Sequence, residues 1–415
     1  VRESLRLDGS DVPRHTGRGL RAVLCGAVSV LLGTAVVPPS PAVAAPTCGP
    51  AGEAAPSAEP WGLRRLEPSS VWHLTRGAGV TVAVIDSGVS ATHPLLKGQV
   101  REGADFNGLP SSKGQCDLVG HGTMVAGIIA GKADTGVPFN GVAPEARILP
   151  IRVLAERRAP NDEALPGEIA QAIRWAVDHD ADVINLSLVT LPRPQLASAV
   201  DYALSRGVVV VAASGNREEQ QQDYLAYPAA YPGVIAVAGM DEQGAHVGSS
   251  VSGDYVDIAA PGLNILGPAP RGSGYVLEPQ GGTSFAAAYV SGVAALVRAA
   301  HPDLTPQQVA DRLIKTADNP PEGHNAEVGY GMVNPYRAVT ALLGTRTNPP
   351  VGAMPAPAAP EDPLGWQRVV AVWVAAVGAL LAAVLLTVRP ILARGRSRGW
   401  RPGRRPTETG PSAAG

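Results

Sequence analysis

Asp86, His121, Asn216 and Ser284 occur in that order, each beside a glycine or one residue removed from it. Together these residue types can perform nucleophilic acyl transfer. A serine hydroxyl becomes an effective nucleophile when a histidine takes its proton, and a carboxylate orients that histidine and stabilises its cation. An asparagine amide can donate to the oxyanion that forms. Taken singly, each has a plainer reading. Asp86 in Asp86-Ser87-Gly88 reads as a turn carboxylate, and His121 in Gly120-His121-Gly122-Thr123 as a structural histidine. Ser284 after Gly281-Gly282-Thr283 reads as a helix N-cap, and Asn216 after Ser214-Gly215 as a turn residue. Only the conjunction carries the chemistry.

The elements that must position these groups are legible as an alternation. β-Branched apolar runs at 80–85, 148–154, 181–187, 208–213 and 234–238 predict buried strands, and helical spacing appears at 168–178 and 195–205. Such alternation predicts an α/β fold with a mostly parallel sheet and helices on both faces. Functional groups in such sheets gather at the carboxyl ends of the strands, where Asp86 and Asn216 fall. His121 opens a predicted small-residue helix at 121–131, whose dipole disfavours a cation and so suits a neutral base. Ser284 precedes a run at 285–300 that is apolar nearly all round and therefore predicts a core helix. Unpaired N–H groups at its start favour developing negative charge.

The blocks Val84-Ile85-Asp86-Ser87-Gly88, Gly120-His121-Gly122-Thr123 and Gly282-Thr283-Ser284 resemble the three signature blocks of the subtilisin-like proteases, over roughly residues 79–341. That resemblance implies a subtilisin-like three-layer fold and a serine endopeptidase with Asp86, His121 and Ser284 as catalytic triad. It also implies Asn216 in the oxyanion hole, peptide binding along Ser187 and Leu188, and Ser214 and Gly215 facing the specificity pocket. Val189 stands where the family usually has glycine, and Phe285 where it most often has methionine. No metal or other cofactor is expected, since no Asp-rich loop has convincing calcium-ligand spacing.

Outside this core the composition is uneven. Five arginines lie in residues 1–21 and seven in residues 389–415, leaving a middle of about −10, which argues against nucleic-acid binding. A basic stretch, the apolar run 22–37 and the small residues Ala42-Val43-Ala44 predict a signal peptide over 1–44. Residues 369–388 form twenty residues without a charge, which at about 1.5 Å per residue match a hydrocarbon core of about 30 Å. With Trp366 and Trp373 near its start, the span is set at 366–388, and the basic tail 389–415 predicts a cytoplasmic C-terminus. A proline-rich linker at 345–365 separates it from a peptidase domain at 77–344, which an N-terminal extension at 45–76 precedes. Removal of Cys25 with the signal peptide leaves Cys48 and Cys116, an even count in an exported chain. A disulfide is expected, with two free thiols as the alternative.

The layout and the segment Trp61-Gly62-Leu63-Arg64-Arg65-Leu66, followed by Trp72-His73-Leu74-Thr75-Arg76-Gly77, resemble the mycosins, membrane-anchored proteases of type VII secretion systems. That closer resemblance implies a Cys48–Cys116 bond tying the extension to the loop of Cys116, and an extension that wraps the domain permanently. It implies a protein or peptide substrate, membrane-embedded type VII secretion partners, and a single-pass cell-membrane protein with its catalytic domain outside. Two other roles are open: a structural component that holds a secretion complex together, or a general extracellular protease. Residues 107–116 and 155–167 read as surface loops that could border the cleft.

Overall fold

The computed structural model describes residues 48–108, 112–132, 136–154, 163–217, 222–343 and 365–400. The expected signal peptide lies outside the described residues, as do nearly all of the linker and most of the basic tail. The chain divides into two compact units, one ending at Ala341 and one beginning at Leu342.

The first unit is built on seven parallel strands: β1 (Thr81–Asp86), β2 (Ala104–Asp105), β3 (Arg147–Arg152), β4 (Val183–Leu186), β5 (Val209–Ala213), β6 (Ile235–Met240) and β7 (Ile258–Pro261). Their spatial order is β2-β3-β1-β4-β5-β6-β7, so the direction of winding reverses between β1 and β4. A crevice therefore opens at the carboxyl ends of those two strands, the usual ligand position in an open α/β sheet.

Period-two alternation divides each strand between two cores. Val82 and Val84 of β1 pack in one cluster, while Ala83 and Ile85 pack in the other. On the first face lie α2 (His121–Ala130) and α5 (Thr283–Ala300), and on the second α3 (Leu165–Asp178) and α4 (Pro194–Ser205). This is the expected three-layer arrangement. All but Ser284, Ala299 and Ala300 of α5 are buried, so the apolar run at its centre is a core helix.

The short helix α1 (Trp61–Leu66) precedes the sheet, and α6 (Pro306–Thr316) and α7 (Pro335–Thr340) follow α5. The hairpin of β8 (Ile265–Pro268) and β9 (Tyr275–Glu278) lies outside the main sheet. Glu53 exchanges both backbone hydrogen bonds with Tyr275, which attaches the N-terminal extension to the start of β9. Cys48 is bonded to Cys116, and Trp61, Leu63 and Leu66 are buried in the first cluster. The extension is thus part of the packed unit.

Arg152, at the end of β3, is 2% exposed and donates to both carboxylate oxygens of Asp105 at 3.2 and 3.0 Å, and to the Asn107 carbonyl at 2.7 Å. The Asp105 carboxylate is itself buried and accepts from the Asn107 N–H and the Ser112 hydroxyl. The pair ties the loop leading to Cys116 onto the sheet. Removing one member leaves an uncompensated buried charge. Arg152→Ala is therefore expected to lower unfolding free energy by about 3–5 kcal/mol, measured by chemical denaturation. A change below about 1 kcal/mol would show that the pair is dispensable.

In the second unit, α8 (Gly365–Ser397) is a 33-residue helix carrying an internal Pro390. Its apolar stretch has a mean hydropathy of 2.8, and none of that stretch is buried within the structure. The helix continues nine residues past Val388, where the expected membrane span ends, through Pro390 and the arginines Arg389, Arg394 and Arg396.

Candidate active site

Three strand ends and two helix starts converge on the crevice. Asp86 is the last residue of β1 and fully buried, and the Ser87 N–H donates to its Oδ1 at 2.7 Å. His121 is the first residue of α2, and its Nδ1 lies 2.8 Å from Asp86 Oδ1 and 3.0 Å from Oδ2. A ring nitrogen facing a carboxylate carries its proton there, which leaves Nε2 as the basic nitrogen. The approach of α2 to β1 depends on Gly122. A Cβ at that position would sit 2.2 Å from the Gly88 carbonyl oxygen and 3.1 Å from the Asp86 Cβ.

Ser284 is the second residue of α5 and lines the same cleft as His121, Ser187, Leu188, Asn216 and Phe285. Its hydroxyl donates to the Ser187 carbonyl at 3.0 Å. Gly282, just before the helix, has φ 147°, and a Cβ there would meet the Asn216 amide nitrogen at 3.3 Å. Asn216 follows β5 and is exposed to the cleft. The Thr283 N–H and hydroxyl both donate to its Oδ1, at 2.9 and 3.2 Å. Its carbonyl oxygen is thereby engaged, and its NH2 is the group oriented to donate elsewhere. The Phe285 ring packs 5.3 Å from the His121 ring, so the residue after Ser284 is a wall for the imidazole.

Not every expected residue reaches the cleft. Ser187, Leu188 and Val189 line it, as do Ala213 and Asn216. Ser214 and Gly215, expected to face a specificity pocket, are buried. The Ser214 hydroxyl donates to the Val251 carbonyl, and the Gly215 N–H donates to Thr283 Oγ1. Tyr224 stands on the cleft wall with its hydroxyl donating to the Asn216 backbone carbonyl at 2.9 Å. The second expected loop contributes Leu154 and Leu165 at its flanks, while residues 155–162 lie outside the described part.

The sequence reading missed Asp117. This buried carboxylate accepts from the Ser87 hydroxyl and the Val119 and Gly120 N–H groups on one oxygen, and from the Thr123 N–H and hydroxyl on the other. Burial pushes its pKa up, against the pull of those donors. Ser87 in turn accepts from the Gly122 N–H at 3.0 Å. Asp117 thus caps α2 from outside and fixes the backbone on both sides of His121. Asp117 stands three residues before the N-cap Gly120, outside the position at which an aspartate signals a helix start, so its role becomes visible only in the fold.

A buried carboxylate on Nδ1, a serine at a helix start and an oriented amide make a constellation suited to acyl transfer. The model of the Subtilase family matches residues 77–331. The chain belongs to the subtilase family, and within it to the mycosins. It is 36% identical over 329 residues to Mycosin-4 of Mycobacterium tuberculosis, covering 69% of this chain and 71% of that protein. A solved structure of MycP3 protease from the type VII (ESX-3) secretion system matches with TM-score 0.63 at 37% identity, covering 70% of this chain and 91% of that one. A chain in the periplasmic assembly of the ESX-5 inner membrane complex matches with TM-score 0.64 at 30% identity, covering 76% and 92%. This subtilase is accordingly a serine-type endopeptidase with the subtilisin-like fold expected from its sequence.

Proposed function

We propose that Asp86, His121 and Ser284 are the catalytic triad of this mycosin. Ser284 attacks the peptide carbonyl while His121 Nε2 takes its proton; the same imidazole then protonates the leaving amine, and water hydrolyses the acyl-enzyme. The single observation that carries this reading is the pair of contacts from Asp86 to His121 Nδ1, with Ser284 in the same cleft. The Asn216 amide and the Ser284 N–H hold the oxyanion, and the substrate chain lies along Ser187 and Leu188. Labelling with a fluorophosphonate tests the assignment: an adduct is expected on Ser284, and its absence in the folded chain would defeat it. Asn216→Ala is expected to lower kcat by about 10²–10³ with a smaller change in KM, because the donor acts on charge that develops in the transition state. Equal losses in binding of substrate and transition state would remove Asn216 from that role.

In the same reading, residues 1–44 are a signal peptide and 45–76 an extension of the peptidase domain 77–344. Residues 345–365 are the linker, and 366–388 form a single membrane span that leaves the catalytic domain outside and the basic tail 389–415 in the cytoplasm. The bonded Cys48–Cys116 pair and the apolar α8 support this topology. The likeness to mycosins supports a place in type VII secretion, with exported proteins as substrates. The match to a chain in a membrane-complex assembly supports a second, structural role there. If Ser284→Ala restores secretion to a deletion strain, the structural role is primary; if it fails while the protein is present and folded, proteolysis is.

A further inference from the structure

A buried chain of side chains reaches from the middle of α5 back to the start of that helix through β4. The Ser291 hydroxyl donates to Asn185 Oδ1 at 2.9 Å. The Asn185 amide donates to the Ser187 hydroxyl at 2.9 Å, and that hydroxyl donates to the Ser284 carbonyl at 2.7 Å. Ser284 completes the circuit by donating its own hydroxyl to the Ser187 carbonyl at 3.0 Å. Ser291 and Asn185 are fully buried, and Ser187 is 3% exposed. Neither Ser291 nor Asn185 lines the cleft.

The direction of each bond depends on the next. A hydroxyl has one proton, so Ser187 can donate to the Ser284 carbonyl only if its other partner is itself a donor. That partner is the Asn185 NH2 group. The amide presents NH2 toward Ser187 because its oxygen is turned to Ser291, which supplies a proton to it. Were the amide reversed, the Ser187 proton would go to Asn185, and the Ser284 carbonyl would lose this contact. In a low-dielectric interior such a chain is fully satisfied only in matched orientations, which makes it a rigid link.

We propose that Ser291 and Asn185 are positioning residues that set the polarity of this relay and thereby hold the nucleophile at the height of the substrate strand. The proposal rests on Ser284 being the nucleophile. Ser291 lies seven residues, about 10 Å, along the helix from Ser284, so it acts through the relay and never touches substrate. A misplaced nucleophile slows attack without altering how the substrate chain is held, which separates kcat from KM.

The test uses the full chain purified in detergent, a fluorophosphonate probe and a peptide substrate. The pseudo-first-order rate constant of labelling at Ser284 reports reactivity independently of how much protein is folded. Ser291→Ala is expected to lower that constant and kcat by about tenfold, with KM within about twofold of the parent. Ser291→Thr, which keeps the hydroxyl, is expected to recover most of the loss, and Ser291→Cys, with a weak donor of similar size, to fall between. Labelling and kcat within twofold of the parent in Ser291→Ala, with only the melting temperature lowered, would overturn the proposal. So would a threonine variant as slow as the alanine one. Failure of the parent chain to label at Ser284 would instead defeat the triad assignment, so the two failures are told apart.

Discussion

Ser284→Ala is expected to lower kcat by about 10⁶ while leaving the fold and substrate binding in place. The size follows from what is removed. Without the hydroxyl there is no acyl-enzyme, and His121 has no proton to take from the protein. What remains is the catalysis supplied by a cleft that still binds the peptide and by Asn216, whose amide is oriented by Thr283 rather than by Ser284. Stability should change little. The alanine loses the donation from Ser284 Oγ to the Ser187 carbonyl, but the Ser187 hydroxyl can still donate to the backbone carbonyl at position 284. One hydrogen bond of this kind is worth about 1 kcal/mol net. Steady-state hydrolysis of a peptide and a melting curve on the same preparation check both halves. Residual activity within about a hundredfold of the parent would mean that the nucleophile lies elsewhere.

The parts of this site that were legible in the sequence share one property: their signal is local. Asp86, His121 and Ser284 each sit in a short glycine-flanked block, and β1, β5 and α5 are apolar runs that read the same in any context. The central strands were read to within one or two residues at most ends because a parallel strand buried on both faces is apolar throughout. What was not legible is contributed by partners distant in the chain. The family resemblance implies that Ser214 faces the specificity pocket, yet the Val251 carbonyl, 37 residues on, accepts its hydroxyl proton and the side chain is buried. β7 is only four residues, Ile-Ala-Ala-Pro, too short for a period to declare itself. Asp117 is a similar case to Ser214, since it lies three residues before the N-cap Gly120 and its role rests on Ser87, 30 residues earlier, as well as on Thr123 within α2. α6 differs, because the Thr305–Gln308 capping box that opens it is a local signal. The relay through Asn185 and Ser291 belongs with the distant partners, since its members are 106 residues apart and only the folded helix brings them together.

Asp86→Asn is expected to lower kcat by about 10⁴ without loosening the fold, and the existing hydrogen bonds show why so small a change costs so much. The side chain is fully buried and accepts the Ser87 N–H at Oδ1. An asparagine must keep an oxygen at that position, since an NH2 there would face another donor. Its NH2 then occupies the place of Oδ2, 3.0 Å from His121 Nδ1. That NH2 opposes a proton on Nδ1, while the retained oxygen, 2.8 Å from Nδ1, still accepts one. The Nδ1–H tautomer is therefore weakened, and the neutral side chain no longer stabilises the imidazolium. To the extent that the proton moves to Nε2, the nitrogen that should take the Ser284 proton already carries one. KM should be nearly unchanged, because Asp86 does not reach the cleft surface, and the melting temperature should shift by no more than a few degrees. The tautomer is directly observable: nitrogen chemical shifts of a ¹⁵N-labelled histidine distinguish a protonated Nδ1 from a protonated Nε2. A parent-like tautomer together with a 10⁴-fold loss would mean that Asp86 acts chiefly by stabilising the imidazolium. A loss below tenfold would remove Asp86 from the triad.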